Sequence, residues 1–272
     1  MTWNAVRWSS IPRRRWVSRD WIEETLTIGN DVWFSRRSDI RVGVLTRDPA
    51  ACMVFVHGLV VSSSYFAPLV ADLDADASLL LPDVPGFGRS HSDREGGSIA
   101  EMTGSFAAWC DWHGIHDATL VANSMGCQMV TQLAVTRPDL VGRFVLISPT
   151  MPAEYRSVPI VLFRALLDVP LERQSLWTIW LRDFFRAGLP LAIRTLQLAM
   201  RDDQLSRLGD AGQPGIIIRG ERDPIVTSRW VRTMISHLPR ARAIMIVRAP
   251  HALNFSAPRE VARIIRTAFQ DG

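Results

Sequence analysis

The sequence predicts an α/β protein, a mainly parallel sheet with helices on both faces. Three observations carry that prediction. Short β-branched or aliphatic runs alternate with longer stretches of helical period, a hairpin precedes them, and one interval breaks the alternation. That interval is about 65 residues long, where a crossover between parallel strands needs roughly 30 to 35.

In chain order, "ETLTIGNDVWFSRR" (24–37) reads as a hairpin turning at Gly29-Asn30-Asp31, which starts the sheet antiparallel. Six runs then read as buried strands: "ACMVFVHG" (51–58), "ASLLLPD" (77–83), "DATLVAN" (117–123), "RFVLIS" (143–148), "GIIIRG" (215–220) and "ARAIMIV" (241–247). Continuous aliphatic runs belong to a sheet covered on both faces. The long interval contains "VPIVLFRALLDVP" and "RQSLWTIWLRDFFRAGLPLAIRTLQLAM", of helical period and divided by Pro159, Pro170 and Pro190. It reads as a helical cap at 151–206 over the sheet's C-terminal edge, where open α/β sheets bind ligands, with the core formed by 1–150 and 207–272.

Composition narrows the function classes. With 272 residues, 47% hydrophobic and 21% charged, the chain can bury a sizeable core. Its basic residues are all arginine, and the missing lysine excludes Schiff-base chemistry, pyridoxal phosphate included. The net charge of +4 is spread along the chain; the densest run, Arg13-Arg14-Arg15, reads as a solvated arm, so no nucleic-acid partner is expected. Cys52, Cys110 and Cys127 are widely spaced and fit neither a disulfide framework nor a zinc site. "VSRDWIEE" stands where a signal peptide needs an apolar stretch, and no apolar window is long enough to span a bilayer. A cytoplasmic protein without a membrane partner is expected; a homodimer stays open.

The chemistry concentrates in "DATLVANSMGCQMVTQLAV", which reads strand, sharp turn, helix, with Ser124 at the turn. Exposing a hydroxyl there requires small neighbours two positions either side, here Ala122 and Gly126. A serine that merely caps the helix is the competing reading. As a nucleophile, serine needs a general base and the base an orienting acid, at the ends of later strands. Asp223 follows the 215–220 strand and His251 the last one; Glu221 is the rival acid, nearer its strand. An oxyanion hole needs two backbone N–H groups, assigned to Met125 after the nucleophile and to Leu59 after the His57-Gly58 turn. His57 itself reads as a structural turn residue.

Together, "HGLVVSSSYFAPL", "LPDVPGFGRS", "VANSMGC", "GERDPIV" and "PHALNFSAPRE" resemble the α/β-hydrolase superfamily, in family order and from about residue 24 onward. The resemblance implies an eight-stranded sheet whose second strand is antiparallel, a helical cap, and a Ser-His-Asp site using no metal and no cofactor. It also implies structural roles for Asp83 and Arg89. "NSMG" is similar to the carbon–carbon bond hydrolases of meta-cleavage pathways, but "LVVSS" replaces their glycine-rich segment and "HALNFS" lacks their tryptophan. Pro250 stands where the family usually has glycine. A serine nucleophile argues against the haloalkane dehalogenases and epoxide hydrolases, which attack through aspartate. The leading expectation is a serine hydrolase acting on an ester or thioester of a predominantly apolar small molecule. C–C bond hydrolysis, acyl transfer with the same triad and a non-enzymatic small-molecule receptor are the alternatives. Asn123, Trp177, Trp180 and Phe184 are the expected substrate contacts; Arg182 and Arg186 read as a solvated face.

Overall fold

The computed structural model describes residues 4–7, 21–38, 52–73, 77–93, 96–150, 155, 157–267 and 269; the arginine run at 13–15 lies outside them.

Strand β1 (Asn4–Arg7) pairs in parallel with β10 (Ala241–Val247) at one edge of the sheet. Strands β2 (Ile22–Ile28) and β3 (Asp31–Arg37) form the predicted hairpin. Ile28 lies opposite Asp31, so the turn is Gly29-Asn30 alone and Asp31 belongs to the strand. Gly29 takes φ +57°, the left-handed conformation that a two-residue hairpin turn needs. The remaining strands are β4 (Cys52–Val56), β5 (Ser78–Pro82), β6 (His91–Ser92), β7 (Ala118–Asn123), β8 (Val141–Ile147) and β9 (Gly215–Gly220).

The sheet order is β1-β10-β9-β8-β7-β4-β5-β3-β2, with β6 added to β3. β3 runs against its neighbours β2 and β5, while the pairs from β1 across to β5 are parallel. The sheet has ten strands where the resemblance implies eight. The additions are β1 and β6, four and two residues long, too short to carry a hydrophobic period and formed because a neighbouring strand offers an open edge.

Alternate residues of the central strands enter opposite cores, as the two-residue period requires. Val54, Val56, Leu120, Ala122, Phe144 and Leu146 pack against α2 (Ile99–Trp112), α3 (Gly126–Thr136) and α8 (Ser228–His237). Phe55, Val121, Val145 and Ile147 pack on the other face with α1 (Ala67–Ala71) and, across the later α9 (Leu253–Ser256), α10 (Pro258–Thr267). Every residue of β7 and β9 is buried, which fixes where these strands end and their loops begin.

The long interval folds as α4 (Val158–Asp168), α5 (Gln174–Ala187), α6 (Leu189–Arg201) and α7 (Gln204–Leu208). Pro159 and Pro190 sit in first turns, where a missing N–H costs nothing, and Pro170 lies in the short turn that ends α4. The helices rest on loops at the strands' carboxyl ends: Arg164 donates to Pro224 O at 3.1 Å and Arg182 to Ser64 Oγ at 2.7 Å. Helix α7 straddles position 206 and is tied to α3 by Gln204, which donates to Thr131 Oγ1 at 3.0 Å. Among the described residues no helix is long and apolar enough to cross a membrane.

Candidate active site

β7 delivers Ser124 into a backbone conformation that side chains avoid, with φ +54°. Such a conformation costs about 1–3 kcal/mol and persists only where its surroundings enforce it. Here they do. The Ser124 amide donates to Ile147 O at 3.0 Å. A Cβ on Gly126 would lie 2.5 Å from Val56 O and 2.7 Å from His57 O, so only glycine lets α3 pass β4 this closely. A Cβ on Gly58 would come within 3.0 Å of Ser124 Cβ, which puts the Gly58 loop against the serine. Asn123 and Met125 are buried while Ser124 is partly open. The capping alternative is not realised, since α3 begins without any side-chain cap.

Asp223 and His251 meet as the sequence predicts, Nδ1 lying 2.9 Å from Oδ2. The other Asp223 oxygen accepts from the amides of Ile225 and Val226 at 2.8 and 2.9 Å, which fixes the carboxylate. Burial pushes the Asp223 pKa up, but the His251 charge and hydrogen bond and the Val226 amide outweigh it and hold the carboxyl below its usual range. For His251, burial acts downward and is overcome by the Asp223 charge and hydrogen bond, then by Asp168 and Glu172, so its pKa rises to about 9. Glu221, the rival acid, instead accepts the Arg248 amide at 2.7 Å.

Several residues of this site escape sequence reasoning. Asp168, at the end of α4, accepts the His251 amide at 3.2 Å. Glu172 accepts from the Ala252 amide and from Ser256 Oγ. Burial, reinforced by the Asp168 charge, raises the Glu172 pKa to about 8. Arg219, inside the "GIIIRG" run read as a buried strand, donates to Val226 O and Asp223 O and braces the acid's loop from below. The histidine loop then crosses the sheet to the β4 side, where Asn254 donates to Tyr65 O at 3.1 Å. Among the described residues no hydrogen bond joins the Ser124 hydroxyl to His251.

His57 is fully buried with both ring nitrogens engaged. Val84 N donates to Nε2 at 2.8 Å, so Nδ1 carries the proton and donates to Gly58 O at 2.8 Å. Burial also lowers its pKa, which keeps it a neutral brace of the turn. Beyond it the backbone passes Leu59 and then Val60, a β-branched residue held at φ +59°. Among the described residues no hydrogen bond takes up the amides of Leu59 and Met125. Asp83 accepts the Ser63 and Arg89 amides at 2.7 and 2.8 Å, joining two loops.

The four expected substrate contacts are placed differently from one another. Asn123 is 1% exposed, with its amide on Ile147 O at 3.2 Å, beneath the turn. Trp177 and Trp180 lie on α5 at 43% and 44% exposure. Phe184 is half-buried against the core and stacks on Trp180 with ring centres 5.3 Å apart.

Residues 53–264 match the model of the alpha/beta hydrolase family. The chain belongs to that family. This hydrolase is 26% identical over 242 residues to a pimeloyl-[acyl-carrier protein] methyl ester esterase of Nitrosomonas europaea, covering 76% of this chain and 91% of the relative. Among solved structures, it resembles a membrane phospholipase A described as a bacterial virulence factor, at TM-score 0.76 and 20% identity over 93% of this chain and 86% of that one. It also resembles an E-2-(acetamidomethylene)succinate hydrolase, at TM-score 0.75 and 20% identity over 93% of this chain and 100% of that one. The hydrolase is therefore an enzyme of this family, built on its fold.

Proposed function

We propose that this hydrolase cleaves an ester or thioester of a predominantly apolar small molecule through an acyl-enzyme on Ser124. The 2.9 Å pairing of His251 with Asp223 carries the reading. With Nδ1 donating to the carboxylate, Nε2 is the nitrogen left to accept a proton. It takes the Ser124 proton as the oxygen attacks the carbonyl, a contact that tightens when substrate arrives. Asp223 stabilises the imidazolium, and the amides of Leu59 and Met125 receive the oxyanion. His251 returns the proton to the leaving alcohol or thiol; water then repeats the sequence on the acyl-enzyme and frees the acid. The α4–α6 insertion acts as the cap, with Phe184 and Trp180 supplying apolar wall. The ester preference is supported by the methyl ester esterase relative.

A fluorophosphonate probe followed by intact mass tests the nucleophile, alongside p-nitrophenyl ester turnover by a Ser124→Ala variant. One label on the wild type, none on the variant and a rate loss of at least about 10⁴-fold are expected. A variant as fast as the wild type would end the proposal.

A further inference from the structure

Between α5 and the core lies a cleft of about 280 Å³ whose wall is Arg36, Arg89, Arg182 and Arg186 with Ser62 and Ser64; neither Ser124 nor His251 lines it. Four guanidiniums converge here although nothing in the mechanism uses them. They come from three separate places: β3, the loop after β5, and one face of α5, where Arg182 and Arg186 are one turn apart.

Three of the guanidiniums, those of Arg36, Arg89 and Arg182, are held in place. Arg89 and Arg36 stack on the Phe34 ring, 3.8 and 4.8 Å from its centre, and both pair with Glu23, at 2.7 and 3.0 Å. Arg182 pairs with the buried Asp183 at 2.8 Å and donates to Ser62 and Ser64 at 3.1 and 2.7 Å. Arg186 is 4.0 Å from the same carboxylate. Each of these carboxylates therefore serves two guanidiniums, and neither lines the cleft. Asp83 does line it, but it is 1% exposed and both its oxygens accept backbone amides. The wall keeps an excess of positive charge on planar donors, three of them fixed before any ligand arrives, the arrangement that oxyanion recognition favours.

We propose that this cleft is an oxyanion-binding subsite of the enzyme, taking a carboxylate or phosphate that the substrate carries away from its scissile bond. The proposal rests on the Ser124 hydrolase reading for the position of that bond. Gly58 packs against Ser124 and Ser62 is four residues further on, so the cleft's Ser62 lies at most about 14 Å of extended backbone from the residue beside the serine. The proposal requires a substrate long enough to reach from one to the other.

Two measurements test it. Calorimetric titration of Ser124→Ala with inorganic phosphate, and separately with adipate, reads the subsite without turnover. Saturable binding that weakens at least tenfold in Arg186→Ala and Arg89→Gln is expected, and the tighter ligand identifies the anion source. No saturable binding of either, or binding indifferent to both substitutions in variants that keep the wild-type circular dichroism, overturns the subsite even if Ser124 proves catalytic. On the active enzyme, mono-p-nitrophenyl esters of a series of diacids from adipate to dodecanedioate are compared with their methyl-capped neutral counterparts. At the chain length that favours the acid most, the ratio of the kcat/KM values should fall at least tenfold in either arginine variant. A ratio unchanged at every chain length overturns the subsite's role in substrate binding, whereas loss of the Ser124 reading would show instead as turnover surviving Ser124→Ala.

Discussion

The carboxylate of Asp168 accepts the backbone amide of His251 at 3.2 Å, joining the inserted helices directly to the catalytic-loop candidate 83 positions away. Its neighbour Glu172 does the same for Ala252, so two acids from the insertion, Asp168 buried and Glu172 half-buried, set the course of the histidine loop.

Asp168→Asn keeps the oxygen that accepts the amide but removes a negative charge that helps hold the His251 proton. The acid limb of the kcat/KM profile should move to lower pH. Asp168→Ala leaves the buried amide without its acceptor and should cost about 1–3 kcal/mol in urea unfolding. A variant pair with identical pH profiles and identical stabilities would contradict this account.

The wild-type pH profile has a definite expected shape. A general base works only when neutral, and the His251 pKa is raised from 6.5 to about 9. Activity should therefore climb with pH along a limb whose midpoint lies above 6.5 and no higher than about 9. A kcat/KM plateau already reached at pH 6 would be incompatible with the Asp223 pairing.

Stability should run the other way. Glu172 has a folded value of about 8 against 4.5 for the free side chain, so the folded state holds a proton that the unfolded state has released. That contribution is complete below pH 4.5 and is lost as pH rises through about 8; His251, also raised, adds a loss in the same direction between 6.5 and about 9. Tm should decline from about pH 4.5 to about 9, and Glu172→Gln should flatten the part of the decline below about pH 8. Melting curves at unit pH steps check both.

Gly126→Ala should be among the costliest single-methyl additions in the chain. The new Cβ meets two backbone carbonyls, 2.5 and 2.7 Å away, which cannot rotate aside as a side chain could. The expected loss is at least about 1–3 kcal/mol, with turnover falling too because the same glycine sets the Ser124 turn. Ala122→Gly, by contrast, should leave the turn geometry intact. Differential scanning calorimetry separates the two.

What could be read in the sequence follows from the range of each determinant. Ser124 was legible because its turn is specified by Ala122 and Gly126, two residues away. Asp223 and His251 were legible because strand ends are marked by where aliphatic runs stop. β1, Asp168, Glu172 and Arg219 were not. Their roles depend on partners far along the chain, and locally β1 shows no period while Asp168 and Glu172 look like ordinary helix-end acids. Arg219 hides inside a buried run because its charge is satisfied by carbonyls of the loop above. Asn123 carried a family-like motif, yet its side chain is used beneath the turn.

Strand β1 is four residues long and lies along the seven-residue β10. Removing it would bare a row of amides and carbonyls with an aliphatic backing, a template on which strands from other molecules can grow. This outermost strand thus guards against self-templating, and a chain lacking it is expected to aggregate through β10 while keeping the residues of its chemistry.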